Sequence, residues 1–176
     1  KTKPGLLYRV DGTPYHEDYH GALKILDRDL GVSRTGQVLD IDLGSGILNV
    51  AHHPIGGATL YAGTQVDKES LWATIAAASG HTPRARWIVR AHRHWYIEQH
   101  TAKCSVVQTP CWQLPTPYAV KTNYWRFQPS LGGMLMLSCA DGHDGYVFQP
   151  SIYPNPAKEV LRMGNGIAKT GQARPS

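Results

Sequence analysis

Ile47-Leu48-Asn49-Val50-Ala51-His52-His53 decides the fold. The apolar run reads as a strand, and two histidines terminate it. Immediately before it, residues 37–43 alternate apolar and polar side chains and end at Gly44-Ser45-Gly46. The two runs therefore read as a hairpin with a glycine-rich turn. A second run repeats the pattern of apolar strand followed by imidazole: Trp87-Ile88-Val89-Arg90-Ala91, then His92-Arg93-His94. Between them, after a glycine-rich loop over residues 54–64, residues 68–79 are rich in alanine and stop at Gly80, which predicts a helix.

Working outward, residues 6–10 read as a strand ending at Asp11-Gly12, and residues 19–30 as an amphipathic helix. Leu23, Leu26 and Leu30 recur there at helical spacing, and Gly31 stops it. Residues 102–109, 133–138 and 146–148 are further strands. Strand, helix, hairpin, helix, strand and then more strands predict a mixed α/β layered sheet. One domain is expected over residues 1–153, followed by a loose basic tail, rich in Pro and Gly, over 154–176.

The chain has 176 residues, 41% hydrophobic and 18% charged, which suits one globular domain with a buried core. No apolar run approaches the ~20 residues of a membrane helix. Eighteen Lys and Arg against thirteen Asp and Glu give a net charge of +5, compatible with an anionic substrate or a nucleic acid. Three cysteines without CxxC spacing argue against a disulfide framework and against a four-cysteine zinc site. With no secretory signal after Lys1-Thr2-Lys3-Pro4, a reducing, cytoplasmic setting is the expectation.

Nine histidines are the unusual feature. In α/β sheets, ligand-binding groups gather at the carboxyl ends of strands. His52 and His53 end one strand, His92 and His94 end another, and His16 follows the first by a short loop. Residues two apart in a strand share a face, so His92 and His94 are expected to point at one centre. Which of His52 and His53 faces it stays open, because strand neighbours point to opposite sides. Imidazole is the commonest protein ligand for borderline metals, so His52, His92 and His94 are the candidate ligands. His81, His100 and His143 read as ordinary surface or core histidines.

His16-Glu17-Asp18-Tyr19-His20 also matches H-E-x-x-H, the zinc-protease pattern. Three features argue against that reading. Asp18 adds a charge where such a helix is buried. Pro14 places His16 in a loop or first turn. No Glu follows Glu17 before Glu69 to serve as a third ligand.

The ordered set Val10-Asp11-Gly12-Thr13-Pro14-Tyr15-His16, Ala51-His52-His53-Pro54 and Ile88-Val89-Arg90-Ala91-His92-Arg93-His94 resembles the calcineurin-like metallophosphoesterases. The likeness is to the carboxyl-terminal half of that family, especially its divergent phage and mobile-element members. Thr109-Pro110-Cys111-Trp112-Gln113-Leu114 and Gly132-Gly133 extend it, so that it runs over residues 6–137. It implies the layered α/β/β/α sandwich of metallo-dependent phosphatases, without its amino-terminal half. It also implies two divalent metal ions (manganese, iron, zinc or nickel), with His52 and His92 on the second ion, His94 on the first and His16 as the catalytic acid beside the leaving group. Thr13 and Ala91 stand where the family has Asn and Gly. The ordered set does not include the family's amino-terminal half, whose D-x-H and G-D-x-x-D segments supply the bridging carboxylate.

The function expected is hydrolysis of a phosphate mono- or diester, nucleotide or nucleic acid included, by a metal-activated water. Arg90 or Arg93 would face the phosphate. Without the bridging carboxylate, these residues alone are expected to hold one metal firmly and to turn over weakly. Two other roles are an inactive phosphoesterase-like scaffold and a nucleic-acid platform built from Trp95-Tyr96 and Tyr124-Trp125-Arg126-Phe127. Half a sheet would expose an apolar edge and face, and self-association or pairing with an amino-terminal segment would follow.

Overall fold

The computed structural model describes residues 6–12, 21–54, 61, 63–114, 117, 121, 129–138 and 145–155. His16, His20, the 124–127 aromatic run and residues 156–176 of the expected tail lie outside them. Two helices, α1 (Ala22–Leu30) and α2 (Gly63–Ala78), and nine strands are described. The strands are β1 (Tyr8–Val10), β2 (Arg34–Gly36), β3 (Val38–Asp42), β4 (Ile47–Ala51), β5 (Ala85–Arg90), β6 (Ile97–His100), β7 (Ser105–Gln108), β8 (Leu131–Ser138) and β9 (Tyr146–Tyr153).

The architecture is mixed α/β. A central five-stranded sheet runs in the order β3-β4-β5-β7-β6. The β4, β5 and β7 strands are mutually parallel, and β3 and β6 pair antiparallel at the two edges. The β3–β4 hairpin turns through Gly44-Ser45-Gly46 as its sequence predicts. Gly46 has φ +155°, and a Cβ there would stand 3.0 Å from the Trp87 ring, so glycine is required.

Helix α2 covers one face of this sheet. Val66, on α2, packs with Ala85, Ile88, Cys104 and Val106 of the sheet. The opposite face carries Trp87 and Val107, covered by Phe148, Met134 and Met136 of the β8–β9 pair. Alternate residues of adjacent strands thus feed two cores, and the molecule layers as helix, sheet and second sheet. Gly132, in β8, has φ +147°, and a Cβ would fall 1.9 Å from the Ser151 carbonyl oxygen of β9. The β1–β2 pair is parallel and separate. Arg9 joins it to α1, meeting Asp27 through Nε at 2.6 Å and Nη2 at 2.8 Å, which with Asp11 raises the guanidinium pKa.

Helix α2 begins five residues before the expected residue 68, because its first turns bury Gln65 and Glu69, polar residues that a hydrophobic pattern assigns to solvent. It stops as expected: Gly80 has φ +71°, and His81 N–H donates to the Ala76 carbonyl at 3.0 Å. The β7 strand is shorter than residues 102–109, since Thr101 and Cys104 close a turn ahead of it through the Thr101 N–H to Cys104 carbonyl bond of 2.9 Å. The β2 and β6 strands, short and largely polar, carry no alternation that marks them. The β8–β9 pair is longer than its two predicted runs, and β9 continues through Pro150 to Tyr153. Among the described residues, no helix is long and apolar enough to cross a membrane.

Candidate metal centre

The carboxyl ends of the parallel strands β4, β5 and β7 lie side by side, because Ala51 pairs with Arg90 and Arg90 with Gln108. The β4 strand ends at Ala51, and His52-His53 leave it in a bend; β5 ends at Arg90, two residues before His92. The two exits are joined by the Ala91 N–H, which donates to the His52 carbonyl at 3.1 Å.

One ligand atom from each of His52, His53 and His92 lies within 4.8 Å of those of the other two. The His52 Nε2 and His92 Nδ1 atoms are 3.3 Å apart. Ring centroids are separated by 4.6 Å for His52 and His53, 5.3 Å for His52 and His92, and 4.1 Å for His53 and His92. Two nitrogens about 2.0–2.1 Å from a tetrahedral ion stand about 3.4 Å apart, so the facing His52 and His92 nitrogens already have that spacing. The donor set, three imidazole nitrogens, suits a borderline divalent ion. Among the described residues, no carboxylate or thiol joins the group. The described donors therefore suit a metal ion, and among the described residues none supplies a carboxylate to bridge two.

His53 belongs to the group that the sequence left open between neighbours. Strand alternation stops at Ala51, so consecutive side chains need not diverge beyond it. The expectation that His92 and His94 share a face rests on strand geometry, and both lie beyond the end of β5. Both residues follow the strand, with φ +72° at His92 and +65° at His94, so the two-residue rule does not reach them. The His94 carbonyl anchors the loop, accepting the Ser130 N–H at 2.7 Å and the more distant Cys111 thiol at 3.8 Å. Buried Gln108 holds the same loop by donating to the Trp95 carbonyl at 3.1 Å.

Arg90 does not face the surface as expected of a phosphate-binding residue. Its guanidinium turns under the sheet to Glu69 of α2, with Nη2 2.9 Å from Oε2. Tyr96 is half-buried. It packs against the Trp87, Val107 and Phe148 core, and its hydroxyl donates to Glu98. Burial, followed by the Glu98 carboxylate, pushes its pKa upward.

No known protein family and no curated protein matches the chain. Among solved structures, a single mutant of Vps29 from Entamoeba histolytica is 8% identical at a TM-score of 0.42, covering 85% of this chain and 99% of that one. Wild-type Vps29 of the same organism, complexed with zinc, is 10% identical at 0.40, over 84% of this chain and 97% of that one. Thermotoga maritima protein TM1076 is 9% identical at 0.41, over 76% and 74%. These likenesses concern the course of the chain, and the chemistry of the site stands on this chain's own residues.

Proposed function

We propose that His52, His53 and His92 bind one borderline divalent ion and that the protein hydrolyses a phosphate mono- or diester there. The observation that carries the proposal is the convergence of three imidazoles at the carboxyl ends of adjacent parallel strands. The resemblance of the surrounding motifs to metallophosphoesterases supplies the reaction class. A bound ion would supply charge to polarise a phosphoryl oxygen and to lower the pKa of water near it.

The residues divide the remaining work. To offer the two facing lone pairs, His52 must carry its proton on Nδ1 and His92 on Nε2. His92 is exposed while His52 and His53 are half-buried, which leaves one side of the cluster open to a phosphate ester. Arg93, next to His92, is the cation to offset phosphate charge now that Arg90 is committed to Glu69. His16 is the proposed acid for the departing alkoxide, carried over from the motif resemblance. That resemblance gives His94 to a second ion; the proposal here is for one.

The test is hydrolysis of bis(p-nitrophenyl) phosphate by the purified protein with manganese, zinc, cobalt or nickel. Slow, metal-stimulated turnover that disappears in His92→Ala supports the proposal. Turnover unchanged in His92→Ala or insensitive to chelator refutes it. Metal binding without turnover of any phosphate ester assigns the chain a scaffold role.

A further inference from the structure

The two strand ends that carry the imidazoles are tied together from below. Arg90 is the last residue of β5, the register partner of Ala51 at the end of β4, and two residues from His92. Its side chain, 11% exposed, enters the layer between sheet and helix. There Nε at 3.0 Å and Nη2 at 2.9 Å both meet Oε2 of Glu69, whose side chain is 1% exposed. Nη1 donates to the Val89 carbonyl at 2.9 Å and reaches toward the Asn49 carbonyl of β4 at 3.5 Å. The Arg90 carbonyl accepts the Thr109 N–H beyond β7 at 2.7 Å. One residue is thus fastened to α2 and β7 and lies against β4, directly beneath the bends that release His52 and His92.

A buried guanidinium without a counter-ion is strongly unfavourable, and so near three imidazoles it would also repel a divalent cation. Glu69 removes both problems at once. It cancels the charge and fixes the rotamer of Arg90 from a helix that also packs on the sheet core through Val66. Groups that hold metal ligands in place by hydrogen bonds and packing characteristically change metal affinity 10–100-fold when altered.

We propose that Glu69 and Arg90 are the positioning pair of the imidazole cluster, setting the approach of the β4 and β5 exits and hence the spacing of His52 and His92. The metal arm of the test rests on the function proposed above; the structural arm does not. The full chain and three variants are compared: Glu69→Gln, Arg90→Lys and Cys104→Ala. Cys104 precedes β7, at the opposite end of the parallel strands, and bonds Ser70, next to Glu69 in α2, at 3.3 Å, so its variant loosens α2 packing while leaving the Glu69–Arg90 ion pair in place.

Two quantities are read: cobalt(II) affinity, and ring-to-ring NOEs between His92 and its neighbours His52 and His53 in the metal-free protein. Glu69→Gln is expected to weaken cobalt at least about 10-fold and to lose the NOEs. Arg90→Lys keeps the charge and loses the two-pronged contact, so the NOEs weaken in a folded protein even if Glu69→Gln fails to fold. Cys104→Ala lowers the melting temperature and leaves both readouts unchanged. Wild-type NOEs in a folded Glu69→Gln or in Arg90→Lys, or equal losses in Cys104→Ala, overturn the proposal. If the unaltered protein binds no cobalt, the metal reading fails while the NOEs still decide the positioning.

Discussion

The two helices use their side chains in opposite ways. Helix α1 has the clearer amphipathic sequence, yet none of its residues is buried, and Ile25, Leu26 and Leu30 stand 52%, 48% and 58% exposed. Helix α2 has the weaker pattern, places Leu71, Trp72 and Ile75 outward, and buries Gln65, Val66 and Glu69. A periodic sequence dictates that a helix forms; which face is buried depends on what the rest of the chain brings against it. In α2 the inward Glu69 meets the last residue of β5. The burial of Glu69 reflects a particular partner, Arg90, rather than apolarity.

That contrast can be broken most forcefully at Glu69. Glu69→Ala leaves Arg90 as a buried, unpaired cation and should cost about 3–5 kcal/mol in chemical denaturation. A loss below about 1 kcal/mol would show that solvent reaches Arg90 and that α2 is no more committed than α1. On the other helix, Leu26→Ser should change stability by no more than about 0.5 kcal/mol, as surface substitutions do. A loss of about 2 kcal/mol or more would mean that α1 is packed after all.

The smallest effect sharpens the comparison at a third place, just before β6, where Tyr96 is partly buried beside Glu98. Its pKa is raised in the folded state, first by burial and then by Glu98. The stability from its neutral hydroxyl is therefore fully present below the unfolded tyrosine pKa of about 10. It declines as pH rises from there toward the folded value. Tyr96→Phe should flatten this alkaline decline in denaturation measured from pH 8 to 11. An identical pH profile in the variant would remove Tyr96 as its source.

The sheet is legible in the sequence because apolar runs ending in histidine are unambiguous: β4 falls at 47–51 as predicted, and β5 spans 85–90 against the predicted 87–91. The hairpin through Gly44 to Gly46 and the glycine stop of α2 follow from backbone requirements that few other residues meet. Beyond the strands, legibility ends. Alternation rules govern side chains within β structure, and His52, His53, His92 and His94 all lie just past it, so the sequence could name the histidines without saying which of them meet. Glu69 escaped notice because a buried polar residue announces itself only through its partner, here a strand-end arginine 21 residues away. The polar strand β6 was hidden for the same reason that its edge position tolerates polar residues.

Everything functional rests on imidazoles 52, 53 and 92 acting together on one ion. Cobalt(II) added to the metal-free protein reads this directly, through the visible absorption of the ion in a nitrogen-ligand field. A 1:1 spectrum is expected, abolished in His92→Ala and weakened at least about 10-fold in His53→Ala. A protein that shows no cobalt spectrum, or one whose spectrum survives both substitutions, contradicts the account.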